Sequence, residues 1–328
     1  MAKVEIADIE DAARRIAGHV RRTPVDLSES LTEQARQPVY LKHEHRQITG
    51  AFKLRGATNA VLSLSTEERA RGVVATSTGN HGRGLAHAAR EAGVRCVVCM
   101  SNMVPQVKLD AIAALGAEIR IIGRSQDDAQ VEVERLIREE GMVSVPPFDH
   151  PKIVAGQGTI GLEILEDVPD VETVLVPLSG GGLIAGIAAA VKARRPEARI
   201  VGISMERGAA MEASLKAGYP VEVEELPTLA DSLGGGINLD NHVTFEMVRA
   251  LVDEVILLTE AEIAEGIRHA YFKEREVIEG GAAVGIAAIL AGKLKPTGPT
   301  LALLTGRSID MAVHCAILNG ANGLEEAA

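Results

Sequence analysis

The sequence contains no tryptophan and very few other aromatic residues. Three tyrosines and four phenylalanines make up about 2 % of its 328 residues. Hydrophobic residues nevertheless account for 46 % of the chain. The chain can therefore bury a sizeable core, but that core must be built from aliphatic side chains. Its length suits two α/β domains better than one small core.

Cysteine, excess positive charge and long apolar runs are also missing. Three cysteines are too few for a disulfide framework and suit a reducing cytoplasm. A net charge of −11 argues against nucleic acid or an anionic membrane surface as a partner. No uninterrupted apolar run reaches the roughly 18 residues that a membrane span needs. The acidic N-terminus is typical of an amphipathic helix, not of a signal peptide.

Predicted strands and helices alternate along the chain. This order predicts an α/β fold with parallel sheets under helices. Two such sheets would face each other across a cleft, and ligands bind at the carboxyl ends of parallel strands. The predicted strands are 39–42, 72–76, 95–100, 118–122, 174–178, 199–204 and 299–304. The predicted helices are 5–20, 51–63, 80–92, 105–115, 127–140 and 186–194.

Three glycine-rich turns follow predicted strands, at 76–82, 179–183 and 304–308. Glycine permits close approach of the backbone to a ligand. In the second turn, Ser-Gly-Gly-Gly-Leu, consecutive amides can point into one concavity at a helix N-terminus, which is an arrangement that binds phosphate. One such turn is weak evidence, because strand-to-helix connections often need glycine. Three of them, together with a lysine among apolar neighbours, are considerably stronger evidence of a ligand site.

Lys53 stands between Phe52 and Leu54, at the start of a predicted helix. Burial penalises the charged form of an amine and lowers its pKa. A neutral lysine amine can form a Schiff base with an aldehyde. Because a phosphate-type turn lies downstream, we expect that aldehyde to carry a phosphate. Pyridoxal phosphate meets both requirements.

Two alternative interpretations of sequence motifs are compared with this one. Gly180-x-Gly182-x-x-Ala185 resembles a dinucleotide-binding fingerprint, which would indicate a nicotinamide-dependent oxidoreductase. That fingerprint expects an acidic residue at the end of the next strand, where Ser204 stands. Cys96 and Cys99 have the spacing of half a zinc site, but within a strand they point to opposite faces. We therefore predict no metal ligands.

Five segments carry a family resemblance: GAFKLRGATNA, STGNHGRG, AGQGTIGLEIL, PLSGGGLIAG and LLTGR. In this order they resemble the fold-type II pyridoxal-phosphate enzymes, and among them the serine/threonine dehydratase and serine racemase group. The segments MERGAAMEASLKAG and TLADSLGGGI look closer to the hydroxyectoine-utilisation dehydratases. The resemblance covers almost the whole chain.

The resemblance implies two doubly wound α/β domains with the cofactor in the cleft between them. A large cofactor-binding domain would comprise residues 1–48 and 150–328. A small α/β domain would comprise residues 49–149, with Lys53 near the boundary. Segments 148–150 and 232–236 are expected to shape the pocket. The resemblance also implies a homodimer that acts on a small amino acid.

The roles of individual residues follow from the same resemblance. Lys53 would bond to the cofactor aldehyde and later act as the acid/base at the substrate Cα, and Thr78 would lie on the opposite face. The other cofactor contacts would come from Phe52, Asn80, Gly180, Gly181, Gly182, Leu183 and Thr305. Substrate contacts would come from Ser77, Thr78 and His81. Glu279 either faces the cofactor or is an ordinary acid at a helix end.

The implied activity is that of a lyase. The enzyme would eliminate the hydroxyl of a small β-hydroxy amino acid to give a keto acid and ammonia, with hydroxyectoine catabolism as a candidate context. Serine, threonine, threo-3-hydroxyaspartate and a hydroxyectoine-derived amino acid all fit this chemistry. An amino-acid racemase is the alternative, although threonine at position 78, where the family usually has serine, counts against it. Arg83 also departs from a common glutamine and adds a cation near the expected cleft.

Overall fold

The structure is a computed structural model that describes residues 3–77, 79–102, 104, 106–124 and 126–327. Ten strands and fifteen helices lie within these residues. The strands are β1 Val25–Leu27, β2 Val39–Lys42, β3 Val73–Thr76, β4 Cys96–Met100, β5 Glu118–Ile121, β6 Val143–Ser144, β7 Thr173–Pro177, β8 Arg199–Met205, β9 Glu254–Leu258 and β10 Thr300–Leu303. The helices are α1 Ile6–Ile16, α2 Glu29–Ala35, α3 Lys53–Leu62, α4 Thr66–Arg71, α5 Asn80–Glu91, α6 Gln106–Ala113, α7 Gln126–Glu140, α8 Pro151–Asp167, α9 Gly182–Arg194, α10 Ala210–Ala217, α11 Thr244–Leu251, α12 Glu260–Phe272, α13 Gly280–Leu290, α14 Met311–Leu318 and α15 Leu324–Ala327.

The larger sheet has six strands in the order β1-β2-β10-β7-β8-β9. The edge strand β1 pairs antiparallel with β2, and the other pairs are parallel. Successive residues of β7 enter different cores: Val174 and Val176 pack with α8 and α9, while Leu175 packs with α12 and α13. Because both faces of this sheet are covered, its central strands consist of apolar residues without alternation.

The smaller sheet has four parallel strands in the order β5-β4-β3-β6. One face packs against α3 and α5, and α7 covers the other. Cys96 and Cys99 of β4 lie in different cores, as their spacing predicts. The predicted α/β class with two parallel sheets is therefore confirmed. We propose that the domain boundaries near residues 49 and 149 follow this change of sheet.

Glycine has a structural role in two of the helices that differ from the sequence prediction. Helix α9 begins at Gly182, not at Gly186, since the left-handed turn ends at Gly181, whose φ is +85°. Helix α8 is not among the predicted helices, and its glycines do not interrupt it. They serve a close crossing instead: a Cβ added to Gly156 would lie 2.6 Å from Cα of Gly56 in α3. The same crossing sets the position of the helix that starts with Lys53.

A buried ion network fixes α3 against its neighbours. The guanidinium of Arg55 donates to Glu44 at 2.7 and 2.9 Å and to Glu163 of α8 at 2.6 and 2.9 Å. Lys42, at the end of β2, donates to Glu163 at 2.6 Å. Arg55 and Glu44 are almost inaccessible to solvent. Among the described helices, none is both long enough and apolar enough to cross a membrane.

Candidate active site

Lys53 is the first residue of α3, and the chain before it is bound to the turn that follows β10. The amide of Phe52 donates to the carbonyl of Thr305 at 3.0 Å. The amide of Arg307 donates to the carbonyl of Gly50 at 3.1 Å. These backbone bonds place the third predicted turn directly beside the lysine.

The Lys53 amine lies in an environment that disfavours its charge. Its Nζ donates to the carbonyl of Pro147 at 2.8 Å and lies 5.3 Å from the centre of the Phe52 ring. Burial lowers the pKa of Lys53 to about 8, and the carboxyl of Glu279 only partly opposes this. The amine therefore has a far larger neutral fraction near pH 7 than a solvent-exposed lysine.

The first and third turns meet at Glu279. Asn80, the first residue of α5, donates through Nδ2 to both carboxylate oxygens of Glu279 at 2.9 and 3.1 Å. The Ser308 amide donates to Glu279 at 2.9 Å, and its hydroxyl donates to Oδ1 of Asn80 at 2.6 Å. Arg83 reaches the same hydroxyl at 3.1 Å. A compact polar cluster thus joins the two strand-end turns.

Glu279 is an acid at a helix end, and it also lies in the polar cluster near Lys53; whether it faces the cofactor stays a prediction. It is the N-cap residue of α13, and it is 3 % exposed within the polar cluster that faces Lys53. Burial raises the pKa of its carboxyl, against the hydrogen bonds from Asn80. Its sequence signal was weak, because an acid before Gly-Gly is common at helix ends.

The second turn reaches the lysine through residues 147 and 148. The Phe148 ring packs so closely on Gly180 that an added Cβ would lie 2.4 Å from it. A Cβ on Gly182 would lie 2.9 Å from the Phe148 carbonyl oxygen. Since Pro147 accepts the bond from Lys53, the glycine turn and the lysine contact adjacent residues of one segment. Leu183 follows in the first turn of α9 and is buried.

The predicted substrate contacts hold the first turn in shape. Ser77 accepts hydrogen bonds from the amides of Gly82 at 2.9 Å and Gly79 at 3.4 Å. His81 is buried and donates through Nε2 to the carbonyl of Val145 at 2.8 Å. Burial, together with the charge of Lys53, lowers the pKa of His81 to about 3, so the ring is neutral. Thr78 lies outside the described residues, and the substrate roles of all three stay predictions.

Sequence reasoning missed two partners at this site. Pro147 acts through its backbone carbonyl, which carries no sequence signal. Ser308 lies in the third predicted turn, but no individual role was predicted for it. The cysteine pair, by contrast, lies apart from the site in β4, where burial raises the pKa of Cys96 to about 12 and that of Cys99 to about 11.

Known proteins resemble this chain over most of its length. The profile of a family described as "Pyridoxal-phosphate dependent enzyme" matches residues 16–306. A Sinorhizobium fredii protein with the provisional name threonine dehydratase is 59 % identical over 321 residues, which is 98 % of this chain and 97 % of that protein. The L-threonine ammonia-lyase of Thermotoga maritima is 41 % identical over 96 % of this chain and 78 % of its own.

A solved structure gives the same result for the fold. Maize serine racemase superposes with a TM-score of 0.90 at 32 % identity, covering 94 % of each chain. The predicted fold type and cofactor class are thereby confirmed, and the nicotinamide alternative has no support. The chain therefore belongs to the pyridoxal-phosphate dependent enzymes, and within them to the fold-type II group of serine/threonine dehydratases and serine racemases.

Proposed function

We propose that this enzyme is a pyridoxal-phosphate dependent dehydratase that converts L-threonine into 2-oxobutanoate and ammonia. The observation that carries the proposal is the lysine amine with a lowered pKa, bounded by three strand-end turns, in a chain of this family. Threonine is the first choice because relatives at 59 % and 41 % identity are named for it.

The residues present fit the cofactor. Gly181 has a φ of +85°, and a Cβ there would lie 2.8 Å from Met211. The first amides of α9 have no acceptor within their own helix, so they are available to a phosphate. We propose that Lys53 binds the cofactor covalently. Further contacts come from Phe52, Asn80, Gly180, Gly181, Gly182, Leu183 and Thr305.

The bound cofactor supplies an electron sink that makes the substrate α-proton removable. Lys53 takes that proton, and its pKa of about 8 suits a general base near neutral pH. Neutral His81 adds no second cation beside the amine. Ser77, Thr78 and His81 are proposed to orient the substrate carboxylate.

The chemistry balances without an oxidant. The substrate loses its α-proton and its β-hydroxyl, which together leave as water. The resulting enamine tautomerises to an imine, and one water hydrolyses the imine to a keto acid and ammonia. Racemisation instead requires a proton donor on the opposite face, and threonine at position 78 is a poor candidate because its methyl restricts χ1.

A reduction experiment tests the role of Lys53. Purified holoenzyme is treated with borohydride and digested, and the labelled peptide is located by mass. We expect the label on Lys53 alone. Lys53→Ala should lose the label and several orders of magnitude of turnover, whereas Lys152→Ala, which removes an exposed lysine, should retain both. A label on another lysine contradicts the assignment.

A product assay tests the reaction. L-threonine, L-serine, threo-3-hydroxyaspartate and hydroxyectoine-derived amino acids are supplied separately, and keto acid, ammonia and the D-enantiomer are followed. We expect keto acid from L-threonine to exceed every D-enantiomer. Faster formation of a D-amino acid would show that the enzyme is a racemase and not a dehydratase. The hydroxyectoine link stays a prediction that this substrate panel decides.

We also propose a cytoplasmic homodimer. The three cysteines are free, which suits a reducing compartment. Tyr271, Phe272 and Met311 are 37, 48 and 54 % exposed, and the ring contacts of Tyr271 with Phe272 and His314 gather this apolar surface on α12 and α14. Sedimentation should give twice the chain mass of 34.6 kDa, and Phe272→Asp should shift the equilibrium toward monomer.

A further inference from the structure

A second cluster of ligand-type side chains lies behind the third turn. His43 follows β2, His45 lies in the short 3-10 turn Glu44–Arg46, and Glu276 lies between α12 and α13. All three are buried, with exposures of 3, 2 and 9 %. One ligand atom from each lies within 4.8 Å of the others.

The histidines of this cluster have unused hydrogen-bonding capacity. Neither ring nitrogen of His43 makes a hydrogen bond in the described part of the chain, and Nδ1 of His45 makes none. Buried polar groups usually have partners, because an unpaired one retains its desolvation cost. Nothing in the catalytic proposal uses these nitrogens, so the cluster needs an explanation of its own.

We propose that His43, His45 and Glu276 bind one divalent transition-metal ion, with zinc as the best match. Imidazole nitrogen and carboxylate oxygen are common zinc ligands, at about 2.0–2.1 Å from the metal. In a tetrahedron of that size the ligand atoms stand about 3.3 Å apart. Nε2 of His45 lies 2.7 Å from Oε2 of Glu276, and Nδ1 of His43 lies 3.7 Å from Oε1 of the same carboxylate, so the three side chains are already gathered at close to this spacing.

Charged side chains stand next to the proposed ligands. Asp26 Oδ2 lies 3.2 Å from Nε2 of His43, on the side away from Glu276. A carboxylate at the second nitrogen of a ligating histidine orients its ring through a hydrogen bond. Asp26 is close enough to accept such a bond from His43, although the present ring orientation does not form it. The guanidinium of Arg46 donates to Oε1 of Glu276. Oε2 of Glu276 is therefore left to bind the ion. The ion would take the place of the hydrogen that lies between Oε2 and Nε2 of His45.

The ion would connect two segments of the active site. The His45 amide donates at 2.8 Å to the carbonyl of Leu304, the residue before Thr305. Glu276 precedes Glu279 by three residues on the same loop. Bound metal would thus tie the chain that leads to Lys53 to the loop that carries Glu279. We assign the ion a positioning role, without contact to substrate.

Metal binding is tested directly, apart from activity. Chelator-treated protein, both without and with pyridoxal phosphate, is titrated with zinc by calorimetry and then dialysed for metal analysis. We expect one zinc per chain in the wild type. His43→Gln and Glu276→Gln should each weaken binding by at least about 100-fold, because losing even an outer partner of a ligand costs about 10–100-fold. His242→Gln, which changes an exposed histidine, and Cys315→Ser, which removes the exposed thiol, should bind as the wild type does.

Cobalt substitution keeps the test decisive if a variant folds poorly. Wild-type protein loaded with Co²⁺ should show the visible absorption of a four-coordinate site and no thiolate charge-transfer band. The proposal is overturned if the wild type retains less than one equivalent of zinc, if the cobalt spectrum shows thiolate ligation, or if the folded His43→Gln variant binds as tightly as the wild type. Failure here leaves the borohydride and product assays unaffected, so the two proposals are tested independently.

Discussion

At the scale of single residues, the environment of Lys53 decides its chemistry. Its neighbours Phe52 and Leu54 are apolar, and the carbonyl of Pro147 accepts one of its hydrogens. Desolvation outweighs the attraction of Glu279 and sets the pKa of the amine at about 8. An ordinary lysine has a pKa near 10.4 and is almost fully charged at neutral pH.

This pKa predicts how the cofactor-free protein reacts with pyridoxal phosphate. Only the neutral amine attacks an aldehyde, so the initial rate should rise about tenfold per pH unit below 8 and level off above it. Absorbance measurements over a pH series that brackets 8 would show the plateau. A rate that climbs without a break to pH 10 contradicts the lowered pKa.

Glu274 is a second group with a shifted pKa, and it lies away from the active site. It accepts hydrogen bonds from Ser28 at 2.7 Å and Ser30 at 2.6 Å and pairs with His269 at 3.2 Å. Burial opposes its ionisation, but these partners outweigh burial and lower the pKa of Glu274 to about 2. Its ionised form therefore stabilises the junction of α2 with the end of α12.

Replacing this carboxylate should change the acid stability of the protein. Because the folded-state pKa is depressed, the stabilisation is complete above the ordinary value of 4.5 and is lost as pH falls toward 2. Glu274→Gln should cost about 1 kcal/mol above pH 4.5, after allowance for solvent screening. Thermal melts of both proteins should converge as pH decreases below 4.5. If the difference in melting temperature between the two proteins is constant with pH, the effect of the substitution comes from packing and not from the charge.

At the scale of elements, two glycines set the approach of α3 to α8. A Cβ on Gly156 would lie 2.6 Å from Cα of Gly56 and 2.8 Å from the carbonyl oxygen of Arg55. Both contacts are with backbone, so no side-chain rotation can relieve them. Small residues at this crossing let the two helices come close enough for Arg55 to reach Glu163.

Gly156→Ala should therefore destabilise the protein by about 1–3 kcal/mol through overpacking. It should also reduce turnover, because α3 carries Lys53 at its first position. Urea denaturation gives the free energy of unfolding. Gly236→Ala is the matched control: a Cβ there meets nothing within 4 Å, so a change within about 0.5 kcal/mol is expected. Equal effects of the two substitutions would refute the crossing argument.

At the scale of the whole molecule, the Arg55 network joins parts of the chain that are distant in sequence. Glu44 follows β2 of the larger sheet, Glu163 lies in α8, and Arg55 lies in the helix that covers the smaller sheet. The side chain of Arg55 is 1 % exposed. Removing one member leaves the other charges buried without compensation.

We predict that Arg55→Leu lowers the free energy of unfolding by about 3–5 kcal/mol. Arg22→Leu provides the comparison, since Arg22 also pairs with two carboxylates but is 50 % exposed. Its loss should cost no more than about 1 kcal/mol. Chemical denaturation of both variants measures the contrast. Similar losses would mean that burial does not control the strength of these pairs.

Prediction from sequence succeeded where local patterns carry the information. The strand Val39–Lys42 was predicted with its observed bounds, because a β-branched and an aromatic residue follow Pro38 in a short apolar run. Glycine was less informative. Gly156 and Gly182 are both helical and do not break the chain. Gly156 is explained by the close packing of two backbones, and Gly182 follows a left-handed turn at the preceding residue.

The sequence by itself determined the α/β class, the glycine turns at three strand ends and the lysine that stands among apolar residues. These features follow from rules that act over a few residues: side-chain periodicity, turn chemistry and the cost of burying charge. Only the tertiary structure brought Lys53 to Pro147, 94 positions away, and His45 to Glu276, 231 positions away. Such pairs result from the packing of both sheets and their helices together, and no local rule encodes which distant polar atoms that packing leaves face to face.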